Sequence, residues 1–117
     1  MENRFVFVKN DKTVSVHCKN IVFFESCGHY VTLHMNDGST YSVRGTMYSI
    51  ADSMDSKTFV RVHRGVIVNL QYIAKIKYRE IILNSIWRTV PLSRSYREKA
   101  LLSFDEFKKH KATALLC

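Results

Sequence analysis

Three short stretches of this sequence put cations where a turn or an element end could present them. Cys27-Gly28-His29-Tyr30 reads as a loop between two apolar runs. Arg61-Val62-His63-Arg64-Gly65 is a basic alternating run that ends on a glycine. Ser93-Arg94-Ser95-Tyr96-Arg97 stands at the head of a helical pattern. The planar fork of an arginine matches phosphate oxygens, or the N7/O6 edge of a guanine. A helix start adds free amides and a partial positive charge that favour an anion. Surface arginines with solvated heads are the ordinary alternative, and any one stretch alone would decide nothing.

The charge balance points the same way. The chain carries 18 Lys and Arg against 10 Asp and Glu, a net charge of +8. Residues 1–58 hold six of each sign and are neutral; residues 59–117 hold twelve basic and four acidic side chains and carry the whole excess. Such a skew suits a polyanion: nucleic acid, or an acidic membrane surface.

Catalytic patterns are missing. No Gly-x-Ser-x-Gly elbow, Walker A loop or Gly-x-Gly-x-x-Gly occurs in the 117 residues. Paired carboxylates for acid–base work cannot be picked out, and Glu25, beside a strand end, reads as a hydrogen-bond acceptor tying a loop. The three cysteines, Cys18, Cys27 and Cys117, form no Cys-x-x-Cys pair. An odd count without secretory features suits free thiols in a reducing, cytoplasmic setting. Cys18, Cys27, His29 and His34 fit no compact zinc spacing, and Cys18 is expected in a strand as a small hydrophobe. No metal or cofactor is expected, and the reading is not an enzyme.

The elements that must position these residues are mostly strands. Arg4–Lys9 and Thr13–Cys18 alternate around Asn10-Asp11-Lys12, a hairpin pattern. Ile21–Phe24 is a short apolar strand. Tyr30–Met35 and Thr40–Arg44 flank the turn signal Asn36-Asp37-Gly38. Met47, Ile50, Ala51 and Met54 have helical spacing after Gly45-Thr46, ended by Asp55-Ser56-Lys57. Strand patterns resume at 59–64, 66–68, 73–78, 81–83 and 87–89, and Pro91 limits pairing near a strand end. Ser95 and Glu98 have capping-box spacing, and Tyr96, Ala100, Phe104 and Phe107 continue a C-terminal helix whose last residues, from about Ala112, are expected to fray. The fold class is mainly β: antiparallel strands in several small sheets, one short internal helix and a C-terminal helix. No run is long and apolar enough for a membrane span or a signal peptide.

Taken in order, these stretches resemble the LytTR family, the DNA-binding output domain of LytR/AlgR-type bacterial response regulators. The matching residues are Ile21-Val22-Phe23-Phe24-Glu25-Ser26, Tyr30-Val31, Phe59-Val60-Arg61-Val62-His63-Arg64-Gly65-Val66-Ile67-Val68-Asn69, Ile73, and Val90-Pro91-Leu92-Ser93-Arg94-Ser95-Tyr96. The likeness covers about residues 4–103 as a single domain and leaves a C-terminal tail from about 104. Gly65 departs from the family, which usually has serine or asparagine after the His-Arg pair. The resemblance implies sequence-specific binding of double-stranded DNA for transcription regulation, through loops and strand ends instead of a recognition helix. It places His29, Arg64 and Arg94 at base edges. Arg61, Ser93, Ser95, Arg97, Tyr30 and Asn69 fall at or near the DNA backbone, with Asn69 alternatively hydrogen-bonding backbone at a strand end. His63 is read as a packed core histidine.

The resemblance also implies a receiver domain ahead of this one and a second copy on repeated DNA sites. None of these residues resembles a receiver, and Met1 just before the first strand suits a piece trimmed from a longer protein. Two other classes stay open on the residues alone. One is a binding module for anionic lipid or protein, disfavoured by the lack of a basic amphipathic helix. The other is a single-stranded RNA binder using Tyr30, Tyr41 and Trp87 as stacking platforms.

Overall fold

The computed structural model describes residues 4–86 and 88–116, for 111–116 the backbone alone. Trp87 and Cys117 lie outside the described residues. The chain runs β1 (Arg4–Lys9), β2 (Lys12–His17), β3 (Ile21–Cys27), β4 (Tyr30–Met35), β5 (Thr40–Arg44), α1 (Met47–Ser53), β6 (Phe59–His63), β7 (Val66–Asn69), β8 (Ile73–Ile76), β9 (Glu80–Leu83), β10 (Thr89–Pro91) and α2 (Arg94–Leu116). Every strand pair among the described residues is antiparallel. β1 and β2 form a hairpin, β10-β9-β8 a three-stranded sheet, and β5-β4-β3-β7-β6 a central five-stranded sheet.

Both faces of the central sheet are covered, which explains the unbroken apolar runs of its two inner strands. A strand buried on one face alternates; one buried on both does not. In β3, Phe23 enters one core with Val22, Val62, Val68, Ile81, Leu83 and Ala100, while its neighbour Phe24 enters the other with Phe5, Leu33, Met47, Ile50 and Ile67. The β8–β10 sheet and α2 therefore cover one face, and the β1–β2 hairpin with α1 covers the other. Each fully buried Phe or Leu contributes roughly 1.5–3 kcal/mol.

The hairpin turns follow their residues. Asn10 and Asp11 take φ of 50° and 61°, the pair of positive angles that a tight turn between right-twisted strands needs and that Asn and Asp tolerate. Asp37 accepts the Ser39 amide at 2.9 Å and its hydroxyl at 2.6 Å, and these bonds hold its carboxyl below the usual range.

Several local expectations shift. Cys18 opens a 3-10 turn instead of lying in a strand, and burial pushes its thiol up. α1 starts after Thr46, whose hydroxyl accepts the Ser49 amide, but ends at Ser53, one residue before Met54. Arg64 lies in a turn beyond β6, and β8 stops at Ile76. α2 begins at Arg94, so Ser95 sits inside the first turn and forms no capping box. α2 runs on past residue 104 to Leu116. Phe104 and Phe107 pack on the core, and Asp105–Lys109 and Glu106–His110 pair at 3.5 and 3.2 Å one turn apart, each such pair adding a few tenths of a kcal/mol. Among the described residues no helix is long and apolar enough to cross a membrane.

Candidate nucleic-acid interface

Backbone hydrogen bonds gather the three cationic stretches at one end of the central sheet. The Gly28-His29 turn joins β3 to β4, and its first position, with φ of 61°, suits glycine. The Arg64-Gly65 turn joins β6 to β7, the neighbour of β3. Ser26 N–H donates to Gly65 O at 2.8 Å, so the two turns lie side by side. Gly45 N–H donates to His29 O at 3.1 Å, adding the end of β5. Ser93 N–H donates to Val62 O at 2.9 Å and docks the start of α2 against β6, two residues from Arg64. At about 4.8 Å between strands, the rim spans roughly 19 Å from β5 to β6, wider than the ~12 Å major groove.

His29, Arg64, Arg94 and Ser95 are exposed on this rim, and Ser93 is half-buried. Among the described residues neither Arg64 nor Arg94 is held in an ion pair. Tyr30 is 46% exposed, with the Arg44 guanidinium 6.0 Å from its ring centre. His63 is half-buried, and its Nδ1 accepts the Gly65 amide at 3.0 Å. It shapes the Arg64 turn and is not a packed core histidine.

Arg61 and Arg97, expected at phosphates, are engaged within the fold. Arg61 donates from Nη2 to Arg64 O at 2.6 Å and lies 5.7 Å from the Tyr96 ring centre. It thus brackets the Arg64 turn to α2, with its Nε buried and unpartnered. Arg97 donates from Nη1 to Lys77 O and Tyr78 O at 2.7 and 2.9 Å. Asn69 takes the alternative role, bonding backbone at a strand end. Its side chain is fully buried; its amide donates to Ile21 O at 2.9 Å and Cys18 O at 3.4 Å, and its oxygen accepts the Gln71 amide at 3.0 Å. An asparagine with both ends used inside a core cannot meet a phosphate.

Glu25 ties an adjoining network. His34 Nε2 lies 3.0 Å from Glu25 Oε1, and its Nδ1 lies 3.3 Å from Arg88 Nη1. The imidazole stacks on Phe23 at 4.0 Å, and Arg88 lies over the same Phe23 ring. Burial lowers the His34 pKa, helped by the Arg88 charge and opposed by the Glu25 hydrogen bond.

Arg44 and Arg79 escaped the reading by motif. Arg44 was legible: the turn at 36–38 pairs Tyr30 with Arg44, so it must share the rim with His29. The groove beside it, about 350 Å³, is lined by Ser26, Gly28, His29, Arg44 and Thr46 without a carboxylate. Arg79 sits in the β8–β9 turn, and no sequence signal ties that turn to α2. A wider groove, about 670 Å³, lies elsewhere, along α2 beside Ser56 and Lys57. Tyr41 packs edge-on against Phe7 at 5.4 Å, which leaves it a poor base-stacking platform.

The site is thus a basic rim of turns on a mostly β scaffold of small antiparallel sheets. The LytTr DNA-binding domain family model matches residues 11–103, and the chain belongs to that family. It is 34% identical over 95 residues to the heme-containing CO-sensing transcriptional regulator RcoM 1 of Paraburkholderia xenovorans (strain LB400), covering 77% of this chain and 35% of the relative. For RcoM 2 of the same organism the identity is 30% over 92 residues, covering 74% and 34%. The chain thus spans about a third of the length of these curated relatives. Its fold matches the solved LytTr DNA-binding domain of a Bacillus cereus chain described as a methyl-accepting/DNA response regulator, with a TM-score of 0.70 at 18% identity, covering 85% of this chain and 94% of that one.

Proposed function

We propose that this domain binds double-stranded DNA sequence-specifically and serves as the output module of a longer transcription regulator in the cytoplasm. The observation that carries the reading is the rim itself. Backbone bonds set His29, Arg64 and Arg94 along one sheet end of a LytTR domain, exposed, with both arginines outside the ion pairs. Phosphate contacts fix register and base contacts discriminate. Arg64 and Arg94 each suit a guanine N7/O6 edge, and His29 donates or accepts according to its tautomer. Tyr30, Ser93 and Ser95 face phosphates, joined by Arg44. Arg61 and Arg97 hold the rim in shape. No catalytic step is assigned.

A receiver domain is the input this reading favours, with two copies on repeated sites. The curated relatives, named as heme-containing CO sensors, favour a ligand-sensing input as a second version.

Selection from random duplexes followed by anisotropy titration tests the proposal. Arg94→Ala should weaken the selected site by about 1–3 kcal/mol, roughly five- to 150-fold, and a scrambled duplex far less. Equal loss on both removes Arg94 from base reading. With about four to six phosphate contacts, the log–log salt slope should be about −4 to −5. A flat salt response contradicts DNA binding through this rim.

A further inference from the structure

The β8–β9 turn, Lys77-Tyr78-Arg79-Glu80, closes with Lys77 N–H donating to Glu80 O at 2.8 Å. It is pinned by α2 and by the segment that leads into it. Arg97 bonds the carbonyls of Lys77 and Tyr78, and Leu92 N–H donates to Arg79 O at 2.9 Å. The Tyr78 ring then lies near two guanidinium groups, Arg97 at 5.0 Å and Arg79 at 5.6 Å from its centre.

The result is a cleft lined by Tyr78, Arg79, Arg94 and Arg97 and by no carboxylate. The one acid of the turn, Glu80, faces Lys77 at 3.8 Å. Three arginines lining one cleft with no carboxylate among them favour an anion beside it. The cleft is narrow, about 20 Å³, too small to enclose a phosphate, so the anion of this site lies over its opening and not inside it. Tyr78 is 64% exposed and offers a rigid wall beside it.

The geometry points to a phosphate site here, with Arg79, outside the ion pairs and beside the Tyr78 ring, as its contacting arm and Arg97 as the positioning residue that fixes the turn. Its occupant is a backbone phosphodiester of the duplex that Arg94 reads. This rests on the DNA-binding reading and extends the contact surface past α2 onto a third element. A phosphate beside Arg94 sets how that side chain meets its base, and Arg79 itself carries no sequence preference.

The test is anisotropy titration of wild-type domain, Arg79→Ala, Arg79→Lys and Lys12→Ala on the selected and a scrambled duplex between 50 and 200 mM salt. Arg79→Ala should weaken both duplexes by the same factor and make the salt slope shallower by about 0.9. Its deficit then shrinks roughly threefold across that range. Arg79→Lys, which keeps the charge, should keep the slope, and Lys12→Ala, on the β1–β2 hairpin, should match wild type. Wild-type binding with Arg79→Ala unchanged in affinity and slope overturns the site and leaves the DNA-binding reading standing; failure of the wild type to bind either duplex overturns both. Inorganic phosphate alone, titrated while watching arginine side-chain NMR signals, separates the sources. Millimolar saturation at Arg79 together with DNA binding indifferent to Arg79→Ala assigns the cleft to free phosphate and refutes the duplex contact.

Discussion

Replacing Asn69 with alanine should unfold the domain more readily while leaving the DNA affinity of the folded molecules unchanged. The side chain is fully buried and makes three bonds. Its loss strands the Ile21 carbonyl, bonded at 2.9 Å, in the core, at a cost of about 1–3 kcal/mol. It also removes the side-chain acceptor that starts the 3-10 turn at Leu70, comparable to losing a helix cap at about 0.5–2 kcal/mol. The 3.4 Å bond to Cys18 O is too long to add much. The sum is about 1.5–5 kcal/mol, a large share of the ~5–15 kcal/mol that a domain of this kind has. At roughly 4 °C per kcal/mol, Tm should fall by about 6–20 °C. Scanning calorimetry gives Tm, and anisotropy at 15 °C gives affinity for the folded protein. A Tm within about 2 °C of wild type, with DNA binding selectively lost, would show that Asn69 meets the nucleic acid and that its burial is misread.

Two further outcomes follow from the same geometry. His34 has a folded pKa lowered by burial, so the unfolded chain holds its proton more tightly. Its contribution to stability is complete above the unfolded value, about 6.5, and is lost as pH falls through the lower folded value. Tm should therefore drop between pH 7 and 5, and His34→Gln should flatten that part of the profile; an equally steep profile in the variant would clear His34. Gly65→Ser should raise stability by about 0.4–1 kcal/mol, because Gly65 is not at positive φ and an added Cβ meets Ser26 Cβ at an ordinary 3.4 Å. A lower Tm would show that Ser26 cannot give way.

Much of the scaffold was legible because period and turn chemistry are local. The alternation of 13–18, the apolar runs 21–24 and 66–68, and Asn36-Asp37-Gly38 each name a strand or turn with a physical reason. The ends of elements were less so. Ser95 has the spacing of a cap, yet α2 starts at Arg94 because Ser93 docks on Val62, a contact 31 residues away in the chain. Which arginines are free depends on similar contacts. Nothing local distinguishes Arg61, turned onto Arg64 O and Tyr96, from Arg64, left open. Asn69 is polar by type, and only the packing of the 18–20 turn above it makes it interior. The pairing of β3 with β7, which brings Gly28-His29 beside Arg64-Gly65, joins strands separated by a helix and three further strands.

The bonds that align the rim, Ser26 to Gly65, Gly45 to His29 and Ser93 to Val62, all run from main chain to main chain. They persist whatever side chains stand at 29, 64 and 94. On the base-reading role proposed for these three positions, substitutions there would alter operator preference while the frame stays put, so divergent regulators built on this architecture would acquire new targets one position at a time without first losing their fold.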